Sequence, residues 1–179
     1  MRLAVRDGLS HLTTEAIARE AGISVRTFFN YYPYKEAALM GPPPDYPAEA
    51  AEAFVAGRGR LLDDLNLLIA QHLRRFLDER EMLAHLYRLA DQDPKLNALR
   101  QNSLLTRHAH MAELMRRRLG RDVEPVMIEI LSSSVVSATA AATRDWAAGR
   151  VTDFIEAAQA NLNRIVPAGQ LLLSPGPDR

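Results

Sequence analysis

No cysteine occurs anywhere in the chain, which excludes a disulfide framework, a thiolate metal site and a thiol nucleophile. Net charge is also missing: 22 basic residues balance 22 acidic ones, so no global electrostatic field advertises a polyanionic partner. Nowhere do about 18 apolar residues run uninterrupted, and MRLAVRDGLS at the front lacks the apolar stretch of a signal peptide. The expectation is a soluble protein of the cytoplasm with no membrane partner. No segment shows β-alternation, an internal repeat or a hairpin turn. G-x-S-x-G, P-loop and G-x-G-x-x-G patterns are all absent, and Ser132-Ser133-Ser134 lies inside a helical pattern, so no catalytic residue is proposed and the enzyme reading is set aside.

What is present is a helical chain of 179 residues, 47% apolar and 25% charged, long enough for a small head and a larger body. Thr14 to Lys35, TEAIAREAGISVRTFFNYYPYK, reads as two short helices around a tight turn. Thr13 or Thr14 caps the first, whose inner face carries Ile17, Ala18 and Ala21. Gly22 closes it with positive φ, and Ile23 plugs the corner. Ser24 caps the second helix, Val25 to about Tyr31, by accepting from an orphan N–H. Phe28 and Tyr31 are expected to face the core, leaving Arg26, Thr27, Phe29 and Asn30 outward. A helix pair of this kind lays its second helix in the DNA major groove; the plain alternative is a helical hairpin packed in a core.

The continuation T-x-A-I-A-x-x-A-G-I-S-x-x-T-F-F-x-Y-Y-P-x-K-E-x-x-L, from Thr14 to Leu39, resembles the tetracycline-repressor (TetR) family of transcriptional regulators. The resemblance is detailed over about residues 8–40 and elsewhere extends only to the pattern of helices. It implies DNA contact by Thr14, Val25, Arg26, Thr27, Phe29, Asn30, Tyr31 and Lys35. Val25, Arg26 and Asn30 would face base edges, with Arg26 suited to bidentate pairing with a guanine. Thr27, Phe29, Tyr31 and Lys35 would lie near phosphates. Phe29 stands where the family commonly has a tyrosine, which removes one phosphate hydrogen bond. Lys35 has a second reading as the partner of a nearby acid. Residues 1–40 carry Arg2, Arg6, Arg19, Arg26 and Lys35 against Asp7, Glu15, Glu20 and Glu36, a small positive excess. Only seven residues precede Gly8, where the family carries a full first helix, so a shortened first helix or a start further upstream is expected.

GPPPDYP, residues 41–47, forces an extended path and separates the head, residues 1–40, from a body over 48–166 and a tail over 167–179. Gly57-Arg58-Gly59 breaks a short helix. Leu61 to Leu77 holds one amphipathic helix. Asp78 with Glu81 opens the next in a capping-box pattern. Asp93-Pro94 caps a long helix that stops at Gly120. Pro125 begins another that runs to Trp146 and Gly149, and Thr152 caps the last. The tail is expected to fray, with Leu171 to Leu173 as its docking option. The expected fold is therefore all-α: a helix-turn-helix head with a truncated first helix, plus a helical ligand-binding and dimerisation body.

Two sites are expected in that body. Met82, Met111, Met115 and Met127, with Phe76, Tyr87 and His108, either fill the core or line an adaptable apolar pocket, and the family resemblance favours an effector pocket. Residues 132–143, SSSVVSATAAAT, present small side chains that let a helix approach closely. This suits either packing within one subunit or a twofold homodimer contact through Val135, Ala138 and Ala142 with Ile155, Ala158 and Leu162. The five histidines show no metal-ligand spacing: His108 and His110 point apart, and no HExxH pattern accompanies His72 or His85. No cofactor is expected. The partners implied are a palindromic double-stranded operator, an apolar small-molecule effector and a second copy of the chain. The rival is a helical binding or interaction protein whose DNA-reading head is disabled by truncation.

Overall fold

A computed structural model describes residues 3, 8, 9 and 11–174 of the chain. The expectation of a shortened first helix falls on residues 1, 2, 4–7 and 10, which lie outside the described residues, as do residues 175–179. The described residues form helices and turns with no strand, as the all-α expectation requires. In chain order these are α1 (Thr14–Glu20), α2 (Val25–Tyr31), α3 (Lys35–Met40), α4 (Ala48–Ala56), α5 (Leu61–Arg74), α6 (Arg80–Gln92), α7 (Pro94–Leu119), α8 (Pro125–Ala147), α9 (Phe154–Asn163) and α10 (Ile165–Gln170). Short 3-10 turns cover Leu77–Glu79, Gly120–Asp122 and Leu171–Leu173. Two compact units emerge: Met1–Pro43 with Glu81–Leu105, and Pro44–Arg80 with Thr106–Arg179.

Several boundaries follow the expected chemistry. Asp93 caps α7 by accepting from Leu96 N–H at 2.9 Å, and Pro125 sits at the start of α8, where its missing donor is not needed. Others move. Asp78 forms no capping box, because residues 77–79 tighten into a 3-10 turn closed by Glu79 N–H on the Phe76 carbonyl. Asp153 rather than Thr152 caps α9, its carboxylate accepting from Glu156 N–H at 2.8 Å. The tail is helical as far as Leu173: the chain breaks at Arg164 and restarts as α10, with Pro167 in the first turn, where no intrahelical donor is required. Leu171, Leu172 and Leu173 do not dock within the chain and stay largely exposed.

The core of the second unit is built on α5, α8 and α9, with α9 packed on both of the others. On α8 the buried residues Ile128, Ser132, Val135, Thr139, Ala142 and Trp146 recur at alternating steps of four and three, which makes one continuous apolar stripe. Phe154, Ala158 and Leu162 of α9 and Leu65, Leu68, Ile69 and Leu73 of α5 supply the facing surfaces. Trp146 stacks on Phe154 with ring centroids 4.3 Å apart and planes 4° from parallel. Arg80 secures this corner by donating from Nε to the Trp146 carbonyl at 2.9 Å. Hydroxyls inside the stripe stay satisfied by bonding back one turn: Thr139 Oγ1 donates to the Val135 carbonyl at 2.8 Å.

This packing corrects the expected dimer face. Val135, Ala142, Ala158 and Leu162 are at most 2% exposed within a single chain, so their partners are already in place. Ala138 and Ile155 are half-buried, and the Ala138 carbonyl accepts from Asn161 Nδ2 at 3.2 Å across the α8–α9 contact. The small residues do allow close helix approach, but between α8 and α9 of one subunit.

Enlarging a side chain at that contact should therefore harm stability and leave association alone. Ala158→Leu, which forces extra methylenes into a filled site, should cost about 1–3 kcal/mol. Urea denaturation reads the loss, and sedimentation of the variant should match that of the parent.

Candidate nucleic-acid interface

Thr13, not Thr14, caps α1: its hydroxyl accepts from Ala16 N–H at 3.1 Å. At the other end Gly22 takes φ +67°, Gly22 N–H bonds the Arg19 carbonyl at 3.1 Å, and Ile23 N–H bonds the Ala18 carbonyl at 2.9 Å. These paired bonds form a Schellman ending, which satisfies the last carbonyls of α1 while turning the chain sharply. A Cβ at Gly22 would meet no atom within 4 Å, so only the left-handed backbone demands glycine. That conformation costs another L residue about 1–2 kcal/mol. Ser24 then caps α2, its Oγ accepting from Thr27 N–H at 3.0 Å and lying 2.8 Å from Thr27 Oγ1.

The inner side of this helix pair rests on Leu12, Ala18 and Phe28, all buried. Phe28 meets Phe29 edge to face at 5.4 Å and Tyr32 at 5.9 Å. Tyr32 thus takes the place expected of Tyr31, whose ring is 75% exposed. The chain leaves the helix at Tyr32 with φ −135° and ψ 124°, which lets that ring return over Phe28. Ile23 does not fully plug the corner and is 39% exposed, while Ala21 is exposed.

On the outer side, Arg26, Phe29, Asn30 and Tyr31 are exposed, and Val25 and Thr27 are half-buried beside them. α2 therefore presents Arg26, Phe29, Asn30 and Tyr31 along one accessible surface. Thr14 Oγ1 donates to Glu15 Oε2 at 3.2 Å, so a phosphate would have to displace a carboxylate to engage it. The Glu15 carboxyl is held below its usual range by its own backbone N–H first, then by the Thr14 hydroxyl. Lys35 is placed differently from both of its expected roles. Its ammonium donates to the carbonyls of Leu9 at 2.8 Å and Leu12 at 2.9 Å, tying α3 to the turn ahead of α1. Sequence reasoning missed the neighbouring contact: Glu36, 8% exposed, pairs with Lys95 of α7 at 3.2 Å. No local pattern signals a contact between residues so far apart in the chain.

Among the candidate pocket residues, Met82 and Tyr87 lie in the first unit, and Phe76, His108, Met111, Met115 and Met127 in the second. Met111 and Met115 are fully buried, whereas Met82 and Met127 are partly exposed. His108 Nε2 lies 3.2 Å from the Glu129 carbonyl, and His110 Nδ1 lies 3.1 Å from Asp45 Oδ1, so the two histidines do use different partners. The described residues contain no group of three or more potential metal ligands.

An unexpected polar feature of the second unit surrounds His72. Its ring, 3% exposed, lies between Tyr46 at 4.8 Å and Phe76 at 5.3 Å, and its Nδ1 has no hydrogen-bond partner. Burial, assisted by the charges of Arg107 and Arg75, lowers its pKa to about 4. Burial likewise raises that of the Tyr46 phenol, against the pull of Arg107.

Comparison with known proteins matches two separate segments of the chain. Residues 1–39 match the family described as bacterial regulatory proteins, tetR family, and residues 66–169 match that described as the MftR C-terminal domain. No curated protein sequence matches the chain. Among solved structures it is similar to Thermus thermophilus FadR, a TetR-family transcriptional repressor in complex with lauroyl-CoA. The identity is 25% and the TM-score 0.60, over 100% of this chain and 95% of that one.

The buried imidazole makes stability depend on pH. An unfolded histidine titrates near 6.5 and His72 near 4, so between these values only the unfolded chain takes up the proton. Stability should fall by about 3 kcal/mol as pH drops through that window, and His72 adds nothing further above it. Urea denaturation at pH 7 and pH 4.5, for the parent and His72→Phe, measures this. The variant should lack that part of the decline.

Proposed function

Because the chain belongs to the TetR family of bacterial regulatory proteins, we propose that it is a cytoplasmic, ligand-responsive repressor that binds a palindromic operator as a homodimer. The observation that carries this reading is the outer face of α2, where Arg26, Phe29, Asn30 and Tyr31 are exposed behind a buried Phe28 anchor. Among the described residues Arg26 has no ion-pair or hydrogen-bond partner, so its guanidinium is available to a guanine edge. Two such helices, one per subunit, would enter successive major grooves.

The proposed dimer contact lies on the other side of α8. Val126 and Ile130 are 56% and 55% exposed, and Ser133 and Ser137 continue the same row along the helix. By length and composition α8 is apolar enough to cross a membrane, with a mean hydropathy of 1.5, yet only 39% of its apolar window is buried inside the chain. One face packs on α9 as in a soluble core, and a symmetry mate is the proposed cover for the other.

The proposed effector is an apolar-tailed molecule. An acyl thioester is the first to test, because FadR is the similar protein seen with lauroyl-CoA. Its binding would act only so far as it favours one head arrangement over the other. A second reading keeps the binding body but not the DNA contact. It is favoured by a hollow of about 280 Å³ in the head, lined by Leu3, Leu12, Ile17, Ala21, Ala38 and Leu39 beside Glu20.

Gel-shift titrations on duplexes from the DNA flanking its own gene, at several salt concentrations, separate these readings. The repressor reading expects binding that weakens with salt and is released by lauroyl-CoA. Arg26→Ala should cost about 1–3 kcal/mol at one operator position and relax specificity there. Uniform, sequence-blind loss would remove the base-reading role from Arg26, and absence of any bound duplex would leave the second reading.

The dimer has its own check. Ile130→Arg should give a monomer with helical content intact when sedimented at micromolar concentration. A variant that stays dimeric moves the interface away from this face of α8.

A further inference from the structure

Lys95 occupies a position that helix electrostatics disfavours. It is the second residue of α7, where unpaired backbone N–H groups and the helix dipole already make the local potential positive. Arg116, Arg117 and Arg118 of the same helix stand in its last turn, where a cation is favoured. At an exposed site that preference is weak, and here contact with the start of α3 offsets it. Lys95 Nζ lies 3.2 Å from Glu36 Oε2 and 3.9 Å from the centroid of the Tyr34 ring. Glu36 is buried, and Lys95 is its ion-pair partner among the described residues. Removing the partner of a buried ion pair leaves the other side chain without its compensating contact.

The first turn of α3 is thus gripped from two sides. Lys35 reaches back to the Leu9 and Leu12 carbonyls, while Tyr34 and Glu36 reach Lys95. Only three residues, Tyr32 to Tyr34, separate α3 from α2. Lys95 itself stands at the start of α7, next to the turn from α6. Asp93 caps α7, and Arg100 lies over the Tyr87 ring of α6 at 5.6 Å while donating to Asn97 Oδ1 at 2.9 Å.

We propose that Lys95 is a positioning residue for the DNA-reading helix, acting through Glu36 and Tyr34 to set α3 and, through it, the orientation of α2. The inference rests on the reading of α2 as the DNA-contacting element. It adds that the α6–α7 hairpin, far away in sequence, controls how that helix is held.

Hydrogen exchange on the full chain tests the claim without DNA. Lys95→Ala should speed exchange in Val25–Tyr31 and Lys35–Met40 by roughly tenfold, while α8 and α9 keep parent rates. Lys95→Arg, which keeps a cation for Glu36 and Tyr34, should behave as the parent does. Unchanged exchange in α2 and α3, acceleration spread evenly over the whole chain, or failure of arginine to rescue would each overturn the proposal. A second arm uses duplexes selected by the parent from a random library. Lys95→Ala should weaken binding by roughly tenfold at fixed salt, a loss typical of one charged hydrogen bond, and Lys95→Arg should restore it. Equal affinity of Lys95→Ala and parent would also overturn it. A parent that selects no duplex strikes only the repressor reading, because the exchange arm still judges Lys95.

Discussion

Gly22 turns the chain at φ +67°, and the whole head is organised around that turn. The Schellman bonds end α1 there, Ser24 starts α2 two residues later, and Ala18 is buried on the inner side of the pair. Phe28 then has one direction in which to be buried, so the opposite face of α2 is left to solvent. The reading surface is in this sense a by-product of packing. Seven-residue helices are too short to be stable alone, and their geometry comes from the turn and the buried ring together.

The body obeys a different constraint, the division of α8 into two apolar faces. One runs through Ile128, Val135, Ala142 and Trp146 and is consumed by α9. The other begins with Val126 and Ile130, which are more than half exposed among the described residues. A helix apolar on both sides reads as uniformly small and hydrophobic, so composition alone does not say which face meets which neighbour. The same helix carries serines and threonines without destabilising it, because Ser134, Thr139 and Thr143 each donate to the carbonyl four residues back.

Polar groups inside the structure mark where its two units depend on particular side chains. His72 is kept neutral between two rings, with an unpaired nitrogen. Glu36 is kept near a cation it shares with Tyr34. Both are polar groups removed from water, and such groups persist only where neighbours hold them. His72 belongs to no recognisable motif, and the motif that contains Glu36 gives no sign of its distant partner. One is a histidine on an amphipathic helix and the other a glutamate in a helix's first turn, and both patterns are commonplace.

What the sequence by itself determined is local. Ser24, Gly22, Asp93 and Pro125 act on backbone groups within four residues of themselves, so capping and termination of α1, α2, α7 and α8 were legible from spacing alone. Helical periodicity gave the all-α class for the same reason, since one turn of helix is the range over which a side chain's environment repeats. Competing local options were harder to rank: Thr13 against Thr14, Asp153 against Thr152, and Tyr32 against Tyr31 for the ring over Phe28. Which of each pair wins depends on where the backbone turns, and that is set by its packing. Only the tertiary structure decided that Val135, Ala142, Ala158 and Leu162 are interior, that Lys35 serves carbonyls, and that Lys95 meets Glu36. These contacts join distant segments of the chain, and a side chain's own sequence neighbours carry no information about what is folded against it.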